Sequence, residues 1–126
     1  MKSDNHLQND FETITNVIGQ YFTGIHSGDS QLLARIFHPD AYLKAPDLRR
    51  ELTEWLTLVE QRPKPIDRGD YYGYQILSID IIGHQAMVKV LCPLLGRTYI
   101  DFLGLLYENQ QWRIVNKMYA DYKDKE

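Results

Sequence analysis

Asp101 interrupts an otherwise apolar stretch, Tyr99-Ile-Asp-Phe-Leu-Gly-Leu-Leu-Tyr107. A carboxylate in such surroundings can serve as acid, base or hydrogen-bond acceptor. On a strand with neighbours on both sides, it cannot turn to bulk water. Left unpaired it would be costly, so something must donate to it. Asn116, Tyr99 and a tyrosine of the helical layer such as Tyr21 are the candidate donors; a bound ligand or water is the alternative.

The other reactive side chains form weaker constellations. Histidines 6, 26, 38 and 84 show no metal-ligand spacing: HxxxH and HExxH are absent, and nothing in the sequence asks for a metal. His84 falls in a Gly83-His84 turn. His26 closes a helix, where an imidazolium suits the helix dipole. His38 precedes proline and reads as a turn residue, with a dehydratase-type pairing to Asp40 or Asp101 as its functional alternative. Cys92 has no basic neighbour in sequence and reads as an inert buried thiol. GxSxG, GxGxxG and phosphate-binding loops do not occur, so no cofactor is expected. Aromatic residues are abundant, with nine Tyr, four Phe and two Trp, enough to line a pocket as well as fill a core. Tyr21, Phe22, Phe37, Tyr42 and Trp55 belong to or border the helical layer. The Tyr71-Tyr72 pair, after Ile-Asp-Arg-Gly-Asp, suits a lid.

These residues need a scaffold, and 126 residues make one domain, with an ordered core expected over about 10–120. The hydrophobic fraction of 44% and charged fraction of 25% are ordinary globular values, against disorder or a coiled-coil rod. A net charge of −3 argues against nucleic-acid binding, which calls for a basic stripe. A single cysteine excludes an intramolecular disulfide. No apolar run reaches the roughly 20 residues that span a bilayer, so no membrane partner is expected. The first ten residues lack the apolar middle of a signal peptide, and the expected location is cytoplasmic.

Periodicity divides the chain in two. Phe11, Ile14, Val17, Ile18, Tyr21, Phe22 and Ile25 form an amphipathic stripe, with Asp10 as N-cap and Gly28 as stop. Asp29 or Ser30 caps a short second helix that Pro39 ends. Tyr42–Ala45 is a short extended piece, and Asp47 caps a third helix carrying Leu48, Leu52, Trp55, Leu56 and Val59. Arg62-Pro-Lys-Pro65 breaks that helix. Four strands follow, Tyr74–Ile82, Ala86–Pro93, Thr98–Tyr107 and Trp112–Ala120, joined by hairpin-length turns. Helices followed by a meander read as α+β.

Even-length turns align Ile79, Val88, Leu103 and Asn116 in one row, and Ile81, Ala86, Leu105 and Ile114 in the next. Leu77, Val90, Asp101 and Met118 make a third row; Gln75, Cys92, Tyr99 and Ala120 make a fourth. Tyr107 meets Trp112. Ser78, Asp80, Lys89, Arg113 and Lys117 collect on the opposite face, which is therefore taken as the outer one.

The pieces YFTGIHSGDSQLLARIFHPDA, SIDIIGHQAMVKV and YIDFLGLLYENQQWRIVNKMY resemble the nuclear-transport-factor-2-like (cystatin-like) superfamily. Within it, the chain is most similar to the lumazine-binding, SnoaL-like group. The resemblance implies a cone-shaped domain, three N-terminal helices packed on a curved antiparallel sheet around a pocket. The superfamily holds isomerases, dehydratases, cyclases, epoxide hydrolases and transport adaptors, so the site must decide the function. Ketosteroid-isomerase-like members place a catalytic Asp at a position that here falls on Ala45. The general base of that chemistry is missing.

The expected ligand-binding residues are Tyr21, Tyr42, Trp55, Gln75, Cys92, Tyr99, Asp101 and Asn116. The pocket would be closed at the Ile81–Trp112 end, open at the polar end, and suited to a small apolar or aromatic molecule. The alternatives are a dehydratase or cyclase using Asp101 with Tyr or His partners, and an interaction module with no ligand. An outer band of Ile76, Leu91, Ile100, Phe102 and Val115 would make the chain a homodimer.

Overall fold

The structure, a computed structural model, describes residues 4–122. Helix α1 (Asp4–Ser27) buries Ile14, Val17, Ile18, Tyr21, Phe22 and Ile25, the stripe its spacing predicts. It begins earlier than expected. Asp10 is therefore not its cap but a buried side chain that accepts a hydrogen bond from the Trp112 indole at 3.3 Å. Phe11, at 50% exposure, lies off the stripe. Gly28 stops the helix in the left-handed region (φ 62°), and the Asp29 amide donates to the Gly24 carbonyl at 2.9 Å in a Schellman arrangement. Asp29 then caps α2 (Ser30–Ile36) through its side chain, which accepts from the Leu32 amide.

The next segment departs from the sequence reading. Phe37–Ala45 is a full strand, β1, and Leu48–Glu51 pairs with it as β2. Asp47 does not cap a helix; it occupies the left-handed region (φ 62°) in the turn between the strands, a conformation Asp tolerates because its short side chain bonds locally. Helix α3 (Leu52–Gln61) consequently starts one turn later and buries Leu52, Trp55 and Val59. Arg62 is extended (φ −80°, ψ 160°), as a residue before proline must be, and its amide closes the helix on Leu58.

The remaining strands are β3 (Gln75–Ile82), β4 (Gln85–Leu94), β5 (Arg97–Glu108) and β6 (Gln111–Asp121), each within one residue of its predicted run at either end. They form a six-stranded curved sheet in the order β2-β1-β6-β5-β4-β3. The sheet is mixed rather than antiparallel, because β1 runs parallel to β6. Hairpin signals reveal which sequential strands pair; they say nothing of a partner seventy residues away.

The predicted rows hold through most of the sheet: Ile79–Val88–Leu103, Ile81–Ala86–Leu105–Ile114, Val90–Asp101, Cys92–Tyr99 and Tyr107–Trp112 all pair. Two irregularities break them. On β6, Leu105 pairs with Ile114 but Gly104 pairs with Asn116, so Val115 is an extra residue. On β3, Ile76 pairs with Val90 and Ser78 with Lys89, so Leu77 is extra. A one-residue slip flips every later side chain to the other face. Lys117 and Tyr119 therefore point inward, opposite Leu103 and Asp101, while Asn116, Met118 and Ala120 point outward. Ile76 packs against the core, and Gln75 turns out to solvent. The tail expected to fray from Asp121 includes an ordered residue, since Asp121 ends β6 with an ion pair to Arg97; the residues beyond 122 lie outside the described ones. Among the described residues no helix is long and apolar enough to cross a membrane.

Candidate functional site

Between the inner face of the sheet and helices α1 and α3 lies an open cavity of about 170 Å³. Each wall has a distinct origin. Tyr21 comes from the buried stripe of α1, Trp55 from α3 and Arg62 from just past its end, Cys92 from β4, Tyr99 and Asp101 from β5, and Lys117 and Tyr119 from β6.

At its centre, Tyr21 donates its phenolic hydrogen bond to Asp101 Oδ2 at 2.7 Å. Both residues are buried, at 0% and 2% exposure. Lys117 Nζ stands 3.9 Å from the same oxygen and 4.4 Å from the Trp55 ring centroid, with Tyr21 and Tyr119 at 5.2 and 5.7 Å. An ammonium over aromatic faces is attracted by their quadrupoles, which replaces part of the hydration it loses.

Burial dominates the protonation chemistry. It lowers the Lys117 pKa, against the pull of the Asp101 charge, and lowers that of Arg62. It raises Tyr21, with Asp101 adding to the effect, and raises Cys92 well above the ordinary thiol range. Cys92 is buried, as expected, and its burial keeps the thiol protonated.

Of the residues expected here, Tyr21, Trp55, Cys92, Tyr99 and Asp101 line the cavity. Three do not. Tyr42 sits on the outer side of β1, 40% exposed, with its hydroxyl 3.4 Å from Glu51. Gln75 is exposed opposite Leu91, turned out by the β3 irregularity, and Asn116 is turned out opposite Gly104 by the extra Val115. Among the described residues no histidine lines the cavity either. His26 pairs with the Tyr74 hydroxyl at 2.8 Å, and His38, in β1 rather than a turn, pairs with Asp40. None of His26, His38 and His84 is placed beside Asp101 in the cavity wall. Tyr71 and Tyr72 do not cover the cavity; Tyr72 packs edge-on against His26 and Tyr74.

Two charged residues of the cavity wall, Lys117 and Arg62, are missing from the sequence reading. Lys117 was assigned to the outer face because an extra residue in a strand leaves no compositional mark. The signal for Arg62 is its place as the residue that ends α3 before Pro63, three positions after the buried Val59. Arg50 also lines the cavity, and its Nε pairs with Glu54 at 2.8 Å. Among the described residues no group of three or more His, Cys, Asp and Glu side chains could hold a metal ion.

The family model described as "Putative lumazine-binding" matches residues 9–120. The chain belongs to this family. Its fold recurs in solved structures of NTF2-like proteins of unknown function. The one from Shewanella baltica OS155 is 19% identical, covers 98% of this chain and 100% of its own, and superposes with a TM-score of 0.80. The one from Silicibacter pomeroyi DSS-3 is 22% identical over 92% and 98% of the two chains, with a TM-score of 0.77. A de novo designed protein with a curved β-sheet, only 8% identical, covers 90% of this chain and 98% of its own with a TM-score of 0.63. At such identities the likeness concerns the fold alone. None of the curated proteins matches this lumazine-binding-family chain.

Proposed function

We propose that this protein binds a small, flat molecule in the cavity between sheet and helices, with aromatic walls for its ring and Asp101 and Lys117 for its polar edge. The observation that carries this reading is a buried carboxylate–ammonium pair facing an open cavity instead of packed side chains. Removing two charges from water is expensive, and well-packed apolar residues usually serve stability as well or better. A pair kept beside empty space has a use there. Lumazine, named in the family's description, and related single- or fused-ring heterocycles are the first compounds to try. Titration followed by amide chemical shifts should perturb Tyr99, Asp101 and Lys117 in the wild type. In Asp101→Asn these shifts should weaken under conditions where circular dichroism shows the variant still folded. If no flat aromatic compound perturbs those residues at millimolar concentration, the reading is wrong.

One observation favours a second reading, a dehydratase or cyclase. Asp101 Oδ1 has no hydrogen-bond partner and could take a proton from a bound substrate while Tyr21 holds Oδ2. Turnover lost in both Asp101→Asn and Tyr21→Phe would separate catalysis from binding alone.

We also propose that the chain self-associates through the outer sheet face. Met87, Phe102 and Met118 are more than 40% exposed there, alongside Leu91 and Ile100. This band replaces the one expected from sequence: Ile76 has moved inward, Val115 is the extra residue, and Met118 has joined. Asp80 and Lys89 share that face, so a second copy related by a twofold axis can satisfy both charges.

A further inference from the structure

We infer that the cavity selects a small anion that also carries a hydrogen-bond donor, its acidic group held by Arg62 and Lys117 and its donor by Asp101. This rests on the cavity being a binding site and adds the class of ligand. Among the described residues, two buried side-chain polar atoms lack any hydrogen-bond partner: Arg62 Nη2 and Asp101 Oδ1. Both belong to walls of this one cavity. One is a donor without an acceptor, the other an acceptor without a donor. A buried polar atom left so keeps its full desolvation penalty, so a molecule complementary to both relieves two penalties at once.

The charges point the same way. Arg50 is already matched by Glu54, leaving Lys117 and Arg62 against the single carboxylate of Asp101. No other wall group can supply the missing negative charge. Burial keeps the Tyr21 phenol and the Cys92 thiol protonated, and among the described residues no second carboxylate lines the cavity. A ligand anion balances the site. Arg62 offers a planar fork suited to a carboxylate, and Lys117 a point charge beside it.

Size narrows the class further. A cavity of about 170 Å³ is well below the roughly 300 Å³ at which drug-sized pockets begin. It suits one substituted ring, with Trp55, Tyr99 and Tyr119 as its walls.

The test uses three matched probes: 4-hydroxybenzoate, its methyl ester, and benzoate, titrated by calorimetry and amide chemical shifts. The acid should bind the wild type at least tenfold tighter than the ester, and also tighter than benzoate. Arg62→Gln should bring acid and ester within about threefold, with Arg62→Lys intermediate. Asp101→Asn should abolish the preference for hydroxybenzoate over benzoate while keeping that for acid over ester. Circular dichroism melts establish that each variant folds; for one that does not, the wild-type ratio of acid to ester decides. An ester that binds as well as the acid, at cavity residues, overturns the inference and leaves the binding reading intact. Binding of none of the probes, nor of any neutral flat compound, overturns both. Preference for the acid that survives unchanged in folded Arg62→Gln overturns the assignment of its anchor.

Discussion

Tyr21 and Asp101, eighty positions apart, meet through a buried 2.7 Å hydrogen bond that ties the first helix to the middle of the sheet. The phenol is the principal donor to Asp101 Oδ2, with Lys117 farther off at 3.9 Å. Tyr21→Phe keeps the ring and deletes the donor. It should destabilise the fold by about 1–3 kcal/mol, the cost of leaving a buried acceptor unsatisfied. Urea denaturation measures this; a change below about 0.5 kcal/mol would show that water replaces the phenol freely.

Asp101 and Lys117 should behave as a unit. Asp101→Asn leaves a buried ammonium with less compensation, and Lys117→Met leaves a buried carboxylate with less, so each single change should destabilise. The double variant should recover part of the sum, with a coupling on the order of 0.5–3 kcal/mol for residues in one network. Strict additivity in a double-mutant cycle would deny the pair.

Alkaline pH should unfold this protein earlier than its composition suggests. Cys92, Tyr21 and Tyr74 all have folded pKa values raised by burial. The unfolded chain releases these protons above about 8.5 for a thiol and about 10 for a phenol, while the fold retains them. Their stabilisation is therefore complete below those values and falls as pH rises through them. Lys117 and Arg62, whose folded pKa values are lowered, work in the opposite direction, Lys117 as pH climbs toward the ordinary lysine value and Arg62 only at still higher pH. Cys92→Ala should flatten the decline by at most about 1.4 kcal/mol per pH unit. Urea midpoints between pH 7.5 and 10.5 give the slopes; parallel curves for variant and wild type would refute the thiol's part.

Phe102→Asp places a charge at the centre of the outer apolar band, beside Lys89 and Met118. Light scattering should show a dimer for the wild type at micromolar concentration and a monomer for the variant, with circular dichroism unchanged. A monomeric wild type would remove the proposed interface.

Much of this could be read from the chain. Helical stripes, proline breaks and hairpin turns report local physics, so α1, α2 and β3–β6 emerged nearly whole. Asp101 with a tyrosine donor emerged too, because a carboxylate in an apolar strand demands a partner wherever it is. The β1–β2 hairpin was hidden, since Leu48 and Leu52 continue the spacing of α3 and Asp47 resembles a cap. The parallel β1–β6 pairing was hidden because only the tertiary fold brings those strands together. Lys117 was lost for a third reason: alternation identifies a face only while the count of residues stays in step.

Val115 has a consequence beyond this one site. An extra residue in a strand acts on side chains as a frameshift acts on codons: everything downstream is unchanged in order and reassigned in meaning. Upstream of Val115, β6 sends Trp112 and Ile114 into the interior; downstream it sends Lys117 and Tyr119. In a relative without the extra residue, the same letters would send Asn116 and Met118 inward and turn the lysine to solvent. Ligand preference on this scaffold could therefore change by insertion or deletion of one residue, with no substitution among the residues that touch the ligand.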